Sequence, residues 1–299
     1  MRATISCSFV LSLACLATAL AAQEAEPEIV VEGSREEVRH QIKELLSDDG
    51  DQIARFETSY CPRVIGFDDE YGPIVERLVR ENAIALGVDV EPEGCTPTAS
   101  IIFTEDPLAV VEGLRTRMPG LFDGMTPAQV DTIVSKERSF YAWRGSAWRD
   151  RNGRTLPEVT SIEIPLGGGG SVKLPADASL NRQSSAGRLA TNWQRQILAS
   201  FLVMDIDSTP GMTLRQIADF ATLHTLLEIS DDAHEKAPAN SILRLFDTDD
   251  PAKLPGSMGS FESKLLSEFY ALENTNTKSN RMRGRLAEAM QKHDPEPVE

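Results

Sequence analysis

The sequence has few of the side chains that most often carry metal, thiol or nucleotide chemistry. Its 299 residues include four cysteines and four histidines. Neither the H-E-x-x-H motif of zinc peptidases nor the G-x-S-x-G motif of serine hydrolases occurs. The glycine run at 167–170 is not followed by the lysine and serine or threonine of a phosphate-binding loop. These absences argue against the common zinc peptidases, the α/β-hydrolases and the P-loop nucleotide enzymes, and we predict no cofactor and no bound metal.

Basic residues are also few in comparison with acidic ones. The chain carries 30 lysines and arginines against 46 aspartates and glutamates, which gives a formal net charge of −16. Such a chain is repelled by phosphate backbones and by anionic lipid surfaces. We therefore expect no nucleic-acid partner.

Long apolar runs are confined to the first 21 residues. Arg2 supplies a positive start, an apolar stretch follows, and Ala19 to Ala21 form a small-residue cleavage site, the three parts of a signal peptide. A retained membrane anchor needs about 20 continuous apolar residues, and serines and a threonine interrupt this run. We predict removal of residues 1–21, no transmembrane segment, and a periplasmic or secreted mature protein. Lipoprotein processing at Cys15 is the alternative.

Loss of the leader also removes Cys7 and Cys15, which leaves Cys61 and Cys95 as the remaining pair. In an oxidising compartment two such cysteines are expected to form a disulfide. The loop that they close would destabilise the unfolded chain by about 3–4 kcal/mol in the entropy model. The alternative is a catalytic thiol.

Periodicity predicts an α+β fold with two lobes. We expect an acidic leader and an amphipathic helix over 22–50, with Ser34 and Glu37 as its capping box. Strands at 52–60 and 99–105 flanking a helix predict a βαβ-like lobe over 51–155 that holds the disulfide. A β-hairpin around the glycine run and several helices predict a second lobe over 156–293, followed by a disordered tail at 294–299.

The helix predicted over 213–229 carries His224 within a wide apolar arc, opposite a polar stripe of Arg215, Asp219 and Thr222. A buried imidazole is expected to find a hydrogen-bond partner, so a structural histidine is the simpler interpretation. The alternative interpretation is a catalytic or metal site formed by His224, Glu228 and His234.

The stretch "MTLRQIADFATLHTLL", followed by "SILRLFD" and "LLSEFYAL", resembles uncharacterised secreted proteins of Gram-negative bacteria. In those proteins a strand leads into a helix that is placed like the active-site helix of a zinc metallopeptidase. The resemblance covers roughly the last 110 residues and implies a zincin-like layout. The two metal histidines and the glutamate are missing from this chain, so no activity is implied.

Residues 138–154 combine arginines with aromatic residues in an otherwise acidic chain. Aromatic faces stack on sugars or peptides, and guanidinium groups bind carboxylates. The candidate partner-binding residues are Arg138, Tyr141, Trp143, Arg144, Trp148 and Arg149. The simpler interpretation is a strand whose aromatic side chains pack inward.

Taken together, these patterns predict an exported cell-envelope protein that binds another protein or a glycan without catalysis. The alternative is a metallopeptidase-like hydrolase with a degenerate site near His224.

Overall fold

The structure is a computed structural model that describes residues 34–47, 52–150, 154, 161–166, 170–175, 193–248, 250–273 and 275–292. For 161–166 and 170–175 it describes the backbone alone. The predicted signal peptide, the acidic leader up to residue 33 and the C-terminal tail lie outside these ranges. Within the described ranges, no helix is both long and apolar enough to cross a membrane.

The fold is α+β, as the sequence predicted. In chain order the helices are α1 (Arg35–Leu45), α2 (Gly72–Ala85), α3 (Pro107–Arg117), α4 (Pro127–Ile133), α5 (Leu214–Leu226), α6 (Ala233–Lys236), α7 (Ser260–Ala271) and α8 (Ser279–Lys292). The strands are β1 (Pro62–Ile65), β2 (Ala99–Thr104), β3 (Phe140–Asp150), β4 (Ser161–Leu166), β5 (Gly170–Pro175) and β6 (Trp193–Asp205). The capping box of Ser34 and Glu37 at the start of α1 is confirmed.

The main sheet has four strands in the order β1-β2-β6-β3. β1, β2 and β6 run parallel, and β3 is antiparallel to β6. The unit β1-α2-β2 is a βαβ element, as expected, but its first strand is Pro62–Ile65 and not 52–60. β4 with β5 forms the predicted hairpin as a separate two-stranded sheet. Since β6 lies between β2 and β3, the two halves of the chain share one sheet.

Helices cover both faces of this sheet. Along β6, Leu202 and Met204 face the larger core with α2 and α5, whereas Phe201 and Val203 face a smaller core with α3 and α4. The alternation follows from the two-residue period of a strand. Burial on both faces also explains why β6 is a nearly continuous apolar run in the sequence.

The predicted disulfide is confirmed. Cys61, directly before β1, is bonded to Cys95, which precedes β2, with a Cα–Cα distance of 6.2 Å. Because β1 and β2 are parallel, both cysteines lie at the same end of the sheet. The bond therefore connects the start of β1 to the end of the α2 crossover.

The strand predicted over 52–60 is wrong. That segment makes only isolated bridges, between Arg55 and Gln196 and between Tyr60 and Val90. The Arg55 guanidinium donates to the carbonyls of Phe269, Tyr270 and Leu272 at the end of α7. These carbonyls have no partner within the helix, so the segment caps α7 instead of extending the sheet.

Candidate functional site

Helix α5 lies in the interior of the protein, and all residues from Gln216 to Leu226 are buried. Thr213 and Gln216 form a capping box at its N-terminus. The Gln216 amide also donates to the carbonyls of Pro251 and Pro255. The helix is therefore held at its start by reciprocal side-chain and backbone hydrogen bonds.

The predicted polar stripe of α5 is a packing surface. Asn82 on α2 donates to the Asp219 carboxylate at 2.7 Å and to the Thr222 hydroxyl at 3.0 Å. Asp219 also pairs with Arg215 at 3.2 Å and accepts the backbone N–H of Met258 at 2.6 Å. These contacts replace the water that a polar stripe on a surface helix would bind.

Thr225, the remaining threonine on the helix, is 2.7 Å from the Tyr60 hydroxyl and donates to the Ala221 carbonyl. The polar side chains Arg215, Gln216, Asp219, Thr222 and Thr225 thus all have hydrogen-bonded or ionic partners.

His224 is the exception on α5. Its side chain is buried, with 5% exposure, and neither ring nitrogen has a hydrogen-bond partner among the residues that the structure describes. Its neighbours are the rings of Phe220 and Phe140, whose centroids are 4.3 Å and 5.1 Å from the imidazole. The burial predicted for His224 is confirmed, but the expected hydrogen bond is not found in this environment of phenyl rings.

Burial is also the main reason that the pKa of His224 is lowered to about 3. The positive charge of Arg144 acts in the same direction, as does His234. His224 is consequently neutral at physiological pH, with one nitrogen as donor and the other as acceptor.

Arg144 explains how the end of α5 is held. Its guanidinium donates to the backbone carbonyl of His224 at 2.6 Å, and the Tyr270 hydroxyl donates to the carbonyl of Leu226 at 3.0 Å. Both carbonyls belong to the last turn, where no intrahelical donor is available. Arg144 therefore has a structural role, and burial lowers its pKa to about 10.

Glu228 belongs to a buried ion pair with Arg195, which does not include His224. Its carboxylate is 2.9 Å from the Arg195 guanidinium and accepts the backbone N–H of Ala54 at 2.9 Å. Arg195 also donates to the Ser146 hydroxyl at 3.1 Å. This network links β6, β3 and the segment before β1.

A cleft of about 440 Å³ has His224 in its lining. Its less exposed side, the floor, is apolar and includes Phe140, Phe246 and Leu243 together with His224. Its charged rim is formed by Lys136, Arg138, Asp231, Asp232, His234, Glu235 and Asp247. The start of β3, the end of α5, the loop with α6, and residues 243–247 contribute to its walls.

The rim charges are unequally paired. Arg138 is 3.3 Å from Asp231, and Lys236 is 2.7 Å from Asp232. Glu235 and Asp247 have His234 as their nearest basic group, at 3.9 Å and 4.0 Å. A histidine is charged only when protonated, so these two carboxylates lack a permanently charged partner among the described residues.

The structure thus brings His224 and His234 to one cleft and places Glu228 elsewhere. Within the described residues, no group of three or more histidine, cysteine, aspartate or glutamate side chains is arranged to hold a metal ion. The set of His224, Glu228 and His234 proposed from the sequence is therefore not assembled.

The candidate partner-binding residues are divided between the interior and the surface. Trp143 is buried between the rings of Phe122 and Phe201 and donates to the Leu121 carbonyl at 3.2 Å. Tyr141 is also buried and donates to the Lys136 carbonyl at 2.9 Å. Tyr141, Trp143 and Arg144 accordingly cannot form the surface proposed from the sequence, because strand alternation and the cap on α5 place them inside.

Arg138, Trp148 and Arg149 are partly exposed. Of the six candidates, Arg138 and Tyr141 line the cleft. His224 and His234 line it as well, whereas Phe246 and Asp247 were not predicted from the sequence. The walls come from segments far apart in the chain, and the local signal for Phe246 and Asp247 was the short segment 241–247.

Comparison with protein-family models, with curated proteins and with solved structures found no match for this chain.

Proposed function

We propose that this protein is an exported, non-catalytic binding module, and that its cleft receives a side chain of a partner protein in the cell envelope. The observation that supports the proposal is that neither ring nitrogen of His224 has a hydrogen-bond partner among the described residues. Leaving a buried polar group without a partner costs about 1–3 kcal/mol, and the other polar residues of α5 are all paired. His224 lines the cleft, but both ring nitrogens are buried. A partner group in the cleft would pack against this imidazole, and rotation of the ring would give one nitrogen the contact that its neighbours do not provide.

A protein ligand is favoured over a glycan by the nature of the floor. Sugars usually stack on exposed aromatic faces with hydrogen-bonding groups around them. Trp143 is buried in the core, and Tyr141 lines the cleft but is only 2% exposed, so neither ring offers a face for stacking. The apolar floor with a charged rim is typical of pockets that receive one anchoring side chain of a protein partner.

The absence of catalysis is supported by the environment of His224. A histidine base is normally oriented by a second polar group within hydrogen-bond distance. Here the neighbouring rings are phenylalanines, and Glu228, one turn further along the chain, is paired with Arg195. Export is supported by the N-terminal sequence pattern and by the disulfide, which is typical of oxidising compartments.

Site-specific photo-crosslinking tests the proposal. A benzophenone amino acid replaces Ser230 on the cleft wall, and the matched control replaces Ser257, an exposed residue outside the cleft. In an envelope extract of the source organism we expect a discrete adduct from position 230 and none from position 257. Excess wild-type protein should compete for the adduct, whereas a Ser230→Trp protein, which narrows the cleft, should not.

Equal cross-linking from both positions, or competition by both proteins, would contradict the proposed cleft. Metal analysis of the purified protein tests the hydrolase alternative separately. We expect no stoichiometric metal. Zinc at one equivalent that is lost in His224→Ala would replace the binding proposal with a metal site.

A further inference from the structure

We infer that the group received by the cleft is a basic side chain, lysine or arginine, of the partner polypeptide. This inference rests on the proposed function and adds the chemical class of the ligand. It is drawn from the charges of the rim, the apolar floor and the unpartnered imidazole of His224.

The rim favours a cation. It holds four carboxylates, Asp231, Asp232, Glu235 and Asp247, against two permanent cations, Lys136 and Arg138. Two of the carboxylates are paired, with Arg138 and with Lys236 from outside the cleft. Glu235 and Asp247 remain, and His234 lies within about 4 Å of both. The single positive charge of Lys136 does not balance the two negative charges of Glu235 and Asp247.

The floor suits the apolar part of such a side chain. Lysine and arginine bury their methylene stems against apolar surface and keep the charged end near polar groups. The rings of Phe140 and Phe246 have centroids 5.4 Å apart and both line the cleft. A cation above such rings gains about 0.5–1 kcal/mol at an exposed site and more when it is desolvated.

His224 can supply an acceptor if its ring turns towards the cleft. A neutral imidazole has one nitrogen that can accept an N–H bond from an ammonium or guanidinium group, but both ring nitrogens are buried in the free protein, so this bond requires the ring to rotate. An acidic ligand could instead accept from the other nitrogen and be attracted by Arg144 below. That guanidinium, however, is bonded to the His224 carbonyl and is partly offset by Glu228, whereas the acidic rim and the net charge of −16 repel an anion.

The test uses defined small probes on the purified protein with isotopically labelled histidine. The chain has four histidines, so each ring can be followed by NMR, with the exposed His40 as internal reference. The probes are Nα-acetyl-lysine methylamide, its uncharged norleucine analogue and its glutamate analogue. A low ionic strength of about 50 mM limits screening of the rim charges.

We expect the lysine probe to shift the His224 and His234 resonances saturably and to leave His40 unchanged. Its Kd should be at least about threefold lower than that of norleucine, the effect of one partly exposed ion pair. Asp247→Asn should remove most of this difference. The matched variant Asp131→Asn, which alters an exposed carboxylate outside the cleft, should not.

Norleucine binding as tightly as lysine would overturn the inference and leave an apolar pocket. Tighter binding of the glutamate probe would overturn it in favour of an anion. Failure of all three probes to shift His224 or His234 would also overturn it. The proposed function is decided independently, because cross-linking at position 230 does not depend on the charge of the ligand.

Discussion

Replacing His224 with leucine should stabilise the protein, the opposite of what a substitution in a core normally does. Leucine is similar in size and needs no hydrogen bond, and the neighbours Phe140 and Phe220 are apolar. Removing a buried polar group that has no partner regains about 1–3 kcal/mol. Allowing for imperfect packing of the new side chain, we expect the free energy of unfolding to rise by about 1–2 kcal/mol at pH 7.

The stability gained by His224→Leu should increase as the pH falls. The folded-state pKa of His224 is lowered to about 3 from 6.5, so below pH 6.5 the unfolded chain binds a proton that the folded protein does not. Stability from this site is therefore fully present above pH 6.5 and falls by about 1.4 kcal/mol per pH unit towards pH 3. Leucine has no such linkage, so at pH 5 the variant should exceed the wild type by about 3–4 kcal/mol.

Urea denaturation at pH 8, 7, 6 and 5, followed by tryptophan fluorescence, measures both quantities. His40→Leu is the matched control, because its imidazole is mostly exposed; it should change the unfolding free energy by less than about 0.5 kcal/mol. A leucine variant that is less stable than the wild type at pH 7 would show that His224 makes a stabilising hydrogen bond. A difference that stays constant between pH 7 and pH 5 would show that the imidazole is not held neutral by burial.

Three further predictions test the internal contacts, each by urea denaturation. Glu228→Ala should cost about 3–5 kcal/mol by leaving Arg195 as a buried unpaired charge, and Arg195→Met with Glu228→Leu should recover most of that loss; a double variant as unstable as the single one would contradict this. Cys61→Ser with Cys95→Ser should cost about 3–4 kcal/mol, and two free thiols in the native wild type would refute the bond. Trp143→Ala should cost about 3–5 kcal/mol, while the partly exposed Trp148→Ala should cost clearly less; equal losses would contradict the burial of Trp143.

The regular elements could be predicted because their signals are local. Thr213 with Gln216, and Thr126 before Pro127, mark helix starts within four residues. The nearly continuous apolar runs of β2 and β6 are typical of strands that are covered on both faces. β3 spans Phe140–Asp150, within the segment 138–154 for which a strand was one interpretation, because its partner β6 has 13 residues and the pairing continues past an irregularity at Gly145.

The polar residues of α5 were harder to interpret. Helical periodicity separates a polar stripe from an apolar arc, and a polar stripe is normally assigned to solvent. Here the stripe meets Asn82 of α2, 137 positions from Asp219 in the chain. Periodicity along one helix contains no information about such a partner, so the stripe predicted the helix but not the residues that it contacts.

The residues that surround His224 in the cleft could be predicted even less from the local sequence. Phe140 and Phe246 lie 84 residues before and 22 residues after His224, yet their side chains define its surroundings. A lone histidine in an apolar arc is consistent with a hydrogen-bonded core residue or with a site, and only the tertiary neighbours distinguish them. In this chain those neighbours are phenyl rings on one side and a cleft on the other. A residue that lowers stability by about 1–3 kcal/mol where leucine would fit is explained most simply by what it binds. The stabilised His224→Leu protein should then lose recognition of the partner, and intact recognition would leave the imidazole without a function.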